Sequence, residues 1–296
     1  MNNKWIELTI SCKKDFLPQL TGLLMVQKIK TWAEEEEGDL VKLKVYIPYY
    51  EELEPNIENL KKLLDIQQVQ VVQKEIEDEN WAVTWQKYFS IEKIGSRIVI
   101  KPPWEDYSPS ENDLVLEIEP RMAFGSGFHP TTRLTILLEE KYVKPGVKVL
   151  DMGCGSGILS ILASMLGAGR IYAVDNDPIA IRETEENVKL ASQKSPEYSN
   201  MPQMITPILS EGFQTLFSNE ETRIFDLIMV NISPIFLIDN IKEIAGFVAD
   251  DGIFLTGSAE HSRIKDLEIA AKEAGLEEFD RIEMDGWIGI AYKKMV

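Results

Sequence analysis

The chain has 296 residues, 44% of them apolar, and 31 Lys/Arg against 49 Asp/Glu give it a net charge of -18. That length supports two domains, and the absence of any apolar run approaching about 18 residues argues against a membrane-spanning helix. The acidity disfavours a nucleic-acid-binding surface and suits a basic partner, while two distant cysteines and two histidines offer neither a disulfide framework nor a metal site.

In chain order, residues 4–11 (KWIELTIS) alternate apolar and polar like a half-buried strand, and residues 15–29 carry apolar side chains at helical spacing. Two strand-like runs, TWAEEEE and DLVKLKVYIP, meet at Gly38 in a hairpin whose four glutamates read as a solvated edge. A helix over 51–65, with Pro55 in its first turn, and a strand QVQVVQKEIE complete a β-α-β-β-α-β order. This is the order of a ferredoxin-like α+β module, expected over residues 1–78. Residues 79–90 read as an aromatic-rich helical linker containing Trp81 and Trp85, and residues 91–296 as the larger domain.

That domain opens with two strands, IEKIGSRIVIKPPW and NDLVLEIEP, separated by a Pro-bounded loop. Next comes RMAFGSGFHPTTRLTILLEEKY, in which Gly125 and Gly127 make a pliable loop, His129 is placed to cap a helix and Pro130 to occupy its first turn, up to about Tyr142. A glycine-rich loop feeding a helix N-terminus is suited to close over a ligand. Strands and helices then alternate: a helix behind Asp177-Pro178, a weak edge strand MPQMITPIL, the buried strand FDLIMVNI ending at Asn231, a helix behind Ser233-Pro234, the strand GIFLTG and the helix SRIKDLEIAAKEAG. A hairpin turning at Asp285-Gly286 ends the pattern. The fold expected is α/β, a Rossmann-like doubly wound, seven-stranded sheet with one antiparallel strand.

The centre of the pattern is VKVLDMGCGSGILSILASMLGAGRIYAVD, residues 147–175: a strand, a glycine turn (Gly153, Gly155, Gly157), a helix and a second strand ending on Asp175. Glycines let the backbone turn tightly against a ligand, and an acid at the tip of the second strand is placed to accept hydrogen bonds from a ribose diol. Ile158 stands where the dinucleotide fingerprint has its third glycine, Asp151 lies at the mouth of the turn, and no Lys or Arg occurs from 149 to 169. A pyrophosphate would therefore meet a carboxylate and no cation. S-adenosylmethionine has the ribose and adenine, lacks phosphate, and carries positive sulfonium and amino groups, so it is the cofactor these residues favour.

Taken together, VLDMGCGSGILSI, MAFGSGFHPTT, the preceding WQKYF and IVIKPPW, and the strand end VNI resemble the bacterial methyltransferases that modify ribosomal large-subunit protein eleven. The likeness spans about residues 80–293, and in that family a ferredoxin-like N-terminal module holds the substrate. The resemblance implies that Thr132, Gly153, Asp175 and Asn231 contact the cofactor, and that Phe124 and Gly125 form a flap beside its methionine moiety. Ser126 and Phe128 stand where that family commonly has threonine, and Asn231 is followed by Ile-Ser-Pro rather than by an apolar and small-residue run.

The expected activity is S-adenosylmethionine-dependent N-methylation of amino groups on a basic ribosomal large-subunit protein. Asn231 would be the catalytic residue, and Thr132, Gly153, Asp175, Asn231, Asp151, Gly155, Phe124 and Gly125 the cofactor site. The alternatives are another basic protein or a small amine as acceptor, RNA, a cofactor-binding protein without catalysis, and an NAD-dependent dehydrogenase. A cytoplasmic protein is expected, since no charged-then-apolar leader opens the sequence, and a monomer that binds neither nucleic acid nor membrane is the default expectation.

Overall fold

Alternation along the first strand sets the first of two units. In β1 (Lys4–Lys13) the side chains of Ile6, Leu8, Ile10 and Cys12 share one face and are buried. In the computed structural model they pack with Val41, Leu43 and Val45 of β3 (Leu40–Pro48), with Leu20 and Leu24 of α1 (Leu17–Val26), and with Ile57, Leu60 and Leu64 of α2 (Glu54–Ile66). With β2 (Trp32–Glu37) and β4 (Gln70–Glu77) the sheet order is β2-β3-β1-β4, with every pair antiparallel. This is the ferredoxin-like arrangement, and the four-glutamate strand β2 occupies its edge.

The structure describes residues 4–26, 32–48, 54–66, 69–77, 90–118, 127, 129–213 and 224–295. The chain divides into residues 1–89 and 90–296. The expected helical linker falls on 79–90, of which only residue 90 is described.

The second unit begins with a departure from the expected strand pair. IEKIGSRIVIK is itself a hairpin, β5 (Glu92–Ile94) and β6 (Ile98–Lys101), because Gly95 takes φ +64 and reverses the chain. β7 (Leu114–Glu117) then pairs with β6 in parallel.

The large sheet has the order β10-β9-β8-β11-β12-β14-β13, from β8 (Lys148–Met152), β9 (Arg170–Asp175), β10 (Ile205–Leu209), β11 (Phe225–Val230), β12 (Val248–Glu260), β13 (Leu276–Met284) and β14 (Trp287–Lys294). β14 runs antiparallel to both of its neighbours and the remaining pairs are parallel. The reversal between β13 and β14 uses Asp285 and Gly286 at φ 49 and 81, the two left-handed positions of a type I′ turn.

Two expected boundaries shift. MPQM is one helical turn (Met201–Met204) ahead of edge strand β10, and β12 extends well beyond GIFLTG at both ends.

Strand parity explains the burial. Val149, Ile171, Ala173, Leu227 and Met229 point into one core layer, whereas Leu150, Tyr172, Val174, Ile228 and Val230 point into the other. Both faces are covered, so the central strands are largely apolar, with Asp151 of β8 a buried exception. The first layer lies beneath α3 (Pro130–Tyr142), α4 (Ile158–Met165) and α5 (Pro178–Lys194), and the second beneath α7 (Pro234–Phe247) and α8 (Ile264–Glu273), α6 being the single turn at 201–204. β8 feeds β9 on one side and lies beside β11 on the other, so the carboxyl ends of β8, β9 and β11 surround the switch point where such sheets take their ligands.

Helix α3 reaches this place only because β12 carries a glycine. A Cβ at Gly257 would stand 2.0 Å from the carbonyl oxygen of Thr131, a backbone atom that cannot swing aside. Gly257→Ala is therefore expected to cost about 2 kcal/mol, read as a melting temperature lower by about 4–8 °C. An unchanged melting curve would refute the close approach.

Candidate functional site

The glycine turn is built by its own backbone and tied down from three sides. Gly153, Gly155 and Gly157 all have positive φ, and the N–H groups of Gly153 and Cys154 donate to the carbonyl of Val174 at 2.7 and 2.9 Å. A side chain at Gly153 would meet Ile232, whose Cγ1 lies 2.6 Å from the ideal Cβ position. From α5, the Thr184 hydroxyl donates to Gly155 O at 3.0 Å and the Asn187 amide to Ser156 O at 2.9 Å. Thr184 and Asn187 were not anticipated. Their signal is polar side chains, three residues apart, on the buried face of an otherwise amphipathic helix.

Asp175 is oriented by the same turn. Its Oδ2 accepts from Gly155 N at 3.0 Å and its Oδ1 from Asp177 N at 3.0 Å. The carboxylate is therefore fixed at the tip of β9, one edge of the switch point, with acceptor capacity to spare.

Asp151 sits at the base of the turn with no exposure, on the face covered by α3 and α4. Ser160 donates to its Oδ2 at 2.7 Å, and its Oδ1 has no hydrogen-bond partner among the described residues. Burial pushes its pKa up to about 7, against the opposing Ser160 bond, and the charge of Asp175 adds to the rise. Ser160 was also missed by sequence reading, where it is one small residue in an apolar helix.

Opposite the turn, helix α3 starts as expected. The His129 ring accepts from Thr131 N at 3.3 Å as the N-cap, Pro130 opens the first turn, and the ring meets Trp287 edge-on at 5.5 Å. Burial lowers the pKa of His129, which suits a neutral, accepting imidazole. Thr132 in that first turn is buried, and the Asn231 amide at the end of β11 donates to its hydroxyl at 3.5 Å. Asn231 Oδ1 is buried without a partner among the described residues. Two positions 99 residues apart are thus brought together at the carboxyl ends of the central strands. Phe124 and Gly125 lie outside the described residues.

The charge of the site has one sign. Asp151 and Asp175 flank the turn, no Lys or Arg occurs from 149 to 169, and burial keeps the Cys154 thiol protonated. Such a cradle fits a ribose-bearing, cationic, phosphate-free ligand.

Comparison with known proteins reaches the same chemistry independently. Residues 4–295 match the family described as ribosomal protein L11 methyltransferase (PrmA). The chain belongs to this family. It is 31% identical over 321 residues to the ribosomal protein L11 methyltransferase of Caldanaerobacter subterraneus subsp. tengcongensis, covering 98% of this chain and 99% of that one. To the protein of the same name from Ruminiclostridium cellulolyticum it is 33% identical over 235 residues, covering 79% of this chain and 71% of the relative. The crystal structure of a ribosomal protein L11 methylase from Lactobacillus delbrueckii subsp. bulgaricus superposes with a TM-score of 0.62 at 27% identity, covering 70% of this chain and all of that one. As a member of the L11 methyltransferase family the chain is a protein methyltransferase with the methyltransferase sheet, and among the described residues no helix is long and apolar enough to cross a membrane.

Asp151 gives a measurable consequence. A carboxyl whose folded pKa exceeds its unfolded value, near 3.9, binds more protons in the folded state, so its contribution to stability declines as pH rises from about 4 to about 7. Asp151→Asn removes that dependence. Its stability relative to the wild type should therefore grow through this window, by at most about 1.4 kcal/mol per pH unit, and then level off. Parallel curves of melting temperature against pH for the two proteins would refute the assignment.

Proposed function

We propose that the protein transfers methyl groups from S-adenosylmethionine to amino groups, lysine side chains or an N-terminal amine, of a basic ribosomal large-subunit protein. The observation that carries this reading is the convergence of Asp151, Asp175, Thr132 and Asn231 at the ends of β8, β9 and β11, with two buried acceptor oxygens lacking hydrogen-bond partners among the described residues. The names of the relatives supply the acceptor class. Asp175 would hold the ribose hydroxyls, Gly153 and Gly155 would admit the ligand against the backbone, and Asp151 would face its amino group. Thr132 and Asn231 would meet its methionine end, with Phe124 and Gly125 as a flap.

When bound, the cofactor supplies an electrophilic methyl group on a sulfonium. The chain must then present an amine lone pair in line with it, and a lysine of pKa about 10.4 is neutral in only roughly one molecule in 2,500 at pH 7. Asn231 Oδ1 is suited to accept one N–H of the neutral amine and aim its lone pair. Thr132 and the amide oxygen of Asn231 are buried, and a site closed to water there would disfavour the ammonium form. Positioning does most of the work. The ferredoxin-like unit, residues 1–78, is assigned to substrate recognition, and a cytoplasmic monomer without direct nucleic-acid binding is the working form.

Asn231→Ala should lower kcat about a hundredfold, a larger effect than its loss of cofactor affinity. Asp175→Ala should weaken cofactor binding by calorimetry about a hundredfold. Wild-type affinity in the latter would refute its role. Incubation with labelled S-adenosylmethionine and ribosomes or free ribosomal proteins should label one small basic protein. Label in RNA, or none anywhere, would overturn the reading.

A further inference from the structure

Trp287 opens β14 directly behind the Asp285-Gly286 turn, and it is packed into neither of the two core clusters. Strand parity decides where it faces. Ala291, in phase with it, lies in the layer beneath α3, whereas Ile288, Ile290 and Tyr292 lie in the other layer. Trp287 and Gly289 therefore face α3. Gly289 lets the helix lie close, since a Cβ there would stand 3.0 Å from the Cβ of Leu134. Trp287 pairs with Glu260 at the carboxyl end of β12 and so meets the start of the helix, where its ring and that of His129 are 5.5 Å apart at 68°. This is the edge-to-face geometry that aromatic pairs favour.

His129 is the cap that fixes this helix end. Its Nδ1 accepts from Thr131 N at 3.3 Å and lies 2.8 Å from the Thr131 hydroxyl, so the neutral ring carries its proton on Nε2. Its carbonyl accepts from Thr132 N at 3.0 Å and Arg133 N at 3.1 Å. The ring keeps its alignment with Thr131 N only if its side-chain torsions are held, and the indole contact holds it from the side of β14. Thr132, in the same first turn, receives the Asn231 amide at 3.5 Å. A continuous set of contacts thus runs from Trp287 through His129 and the first turn of α3 to Asn231.

We propose that Trp287 is a positioning residue for methyl transfer: by holding the His129 ring in its capping orientation, it sets the first turn of α3 and thereby the place of Thr132 opposite Asn231. It acts through the ring contact and not through apolar bulk. The inference rests on the S-adenosylmethionine reading above, in which Thr132 and Asn231 meet the methionine end of the cofactor.

The test measures S-adenosylmethionine affinity by calorimetry, and label transfer to free ribosomal proteins at saturating cofactor, on the full chain. Trp287→Leu keeps apolar bulk and removes the ring; it should bind the cofactor about fivefold more weakly and transfer about tenfold more slowly. Trp287→Phe keeps a ring and should stay within about twofold of the wild type in both. His129→Ala should show losses of the same order. Adding Trp287→Leu to His129→Ala should change neither quantity further, because residues that act through one contact are not additive. A packing role alone would instead make the Phe and Leu variants alike and give the double variant both losses multiplied. Either of those results, or a Leu variant that matches the wild type, would overturn the inference and leave the cofactor reading standing. Should the wild type bind the cofactor and label no ribosomal protein, the acceptor reading falls and the affinities alone decide the inference. A wild type that binds no S-adenosylmethionine would overturn both the inference and the cofactor reading.

Discussion

The carboxylate of Asp175 ties two segments into one site. Accepting from Gly155 in the turn and from Asp177 at the start of the next helix, it fixes the tip of β9 against the end of β8 with two charge-assisted bonds. The turn is thereby held at positive φ by protein contacts, and Thr184 and Asn187 close it from the far side. Everything else in the site is placed relative to this clamp. The N-terminus of α3 is set by the close approach at Gly257, and the end of β11 by its pairing with β8, through which Asn231 faces Thr132. A ligand entering such a site meets oriented acceptors and has little reorganisation to drive.

The residues of the clamp were legible in the sequence because they obey local rules. A glycine turn between two apolar strands, an acid at a strand tip, and Asp-Pro, Ser-Pro and His-Pro helix starts each have a local physical cause, and each formed where expected. Legibility failed where the cause is tertiary. The turn at Gly95 was hidden in a run that reads as one strand, because a single glycine among β-branched residues marks a bend or a bulge equally well. MPQM carries no helical period of its own and forms one turn ahead of β10. Ser160, Thr184, Asn187 and Glu139 look like surface residues by type, and only packing shows that their side chains are buried. Gly257 is silent in sequence because its requirement comes from the backbone of Thr131, 126 residues earlier.

The buried polar groups give the site a cost in stability that an apolar core would avoid. Asp151, Glu139 and the Asn231 oxygen are all buried with unsatisfied atoms among the described residues, while their neighbours Leu150, Leu138 and Val230 are ordinary core. Local rules broken together at one end of a sheet, in a domain otherwise consistent from propensity to packing, are the expected mark of function. The same grouping explains the selectivity of the cradle. A phosphate-bearing nucleotide needs cations or free N–H groups at the turn, but here the N–H of Gly155 is taken by Asp175, those of Gly153 and Cys154 by Val174, and no Lys or Arg occurs from 149 to 169. Anions are refused for lack of donors and cations are favoured by two carboxylates, so the charge of the ligand is decided by the turn before any contact to its base. The acceptor amine meets the same field from the other side. In the proposed reaction, acidic groups that favour a cationic cofactor would also favour the ammonium form of a lysine, so proton loss would be driven locally, beside the buried Thr132 and the buried Asn231 amide oxygen, and not by the net charge of the domain.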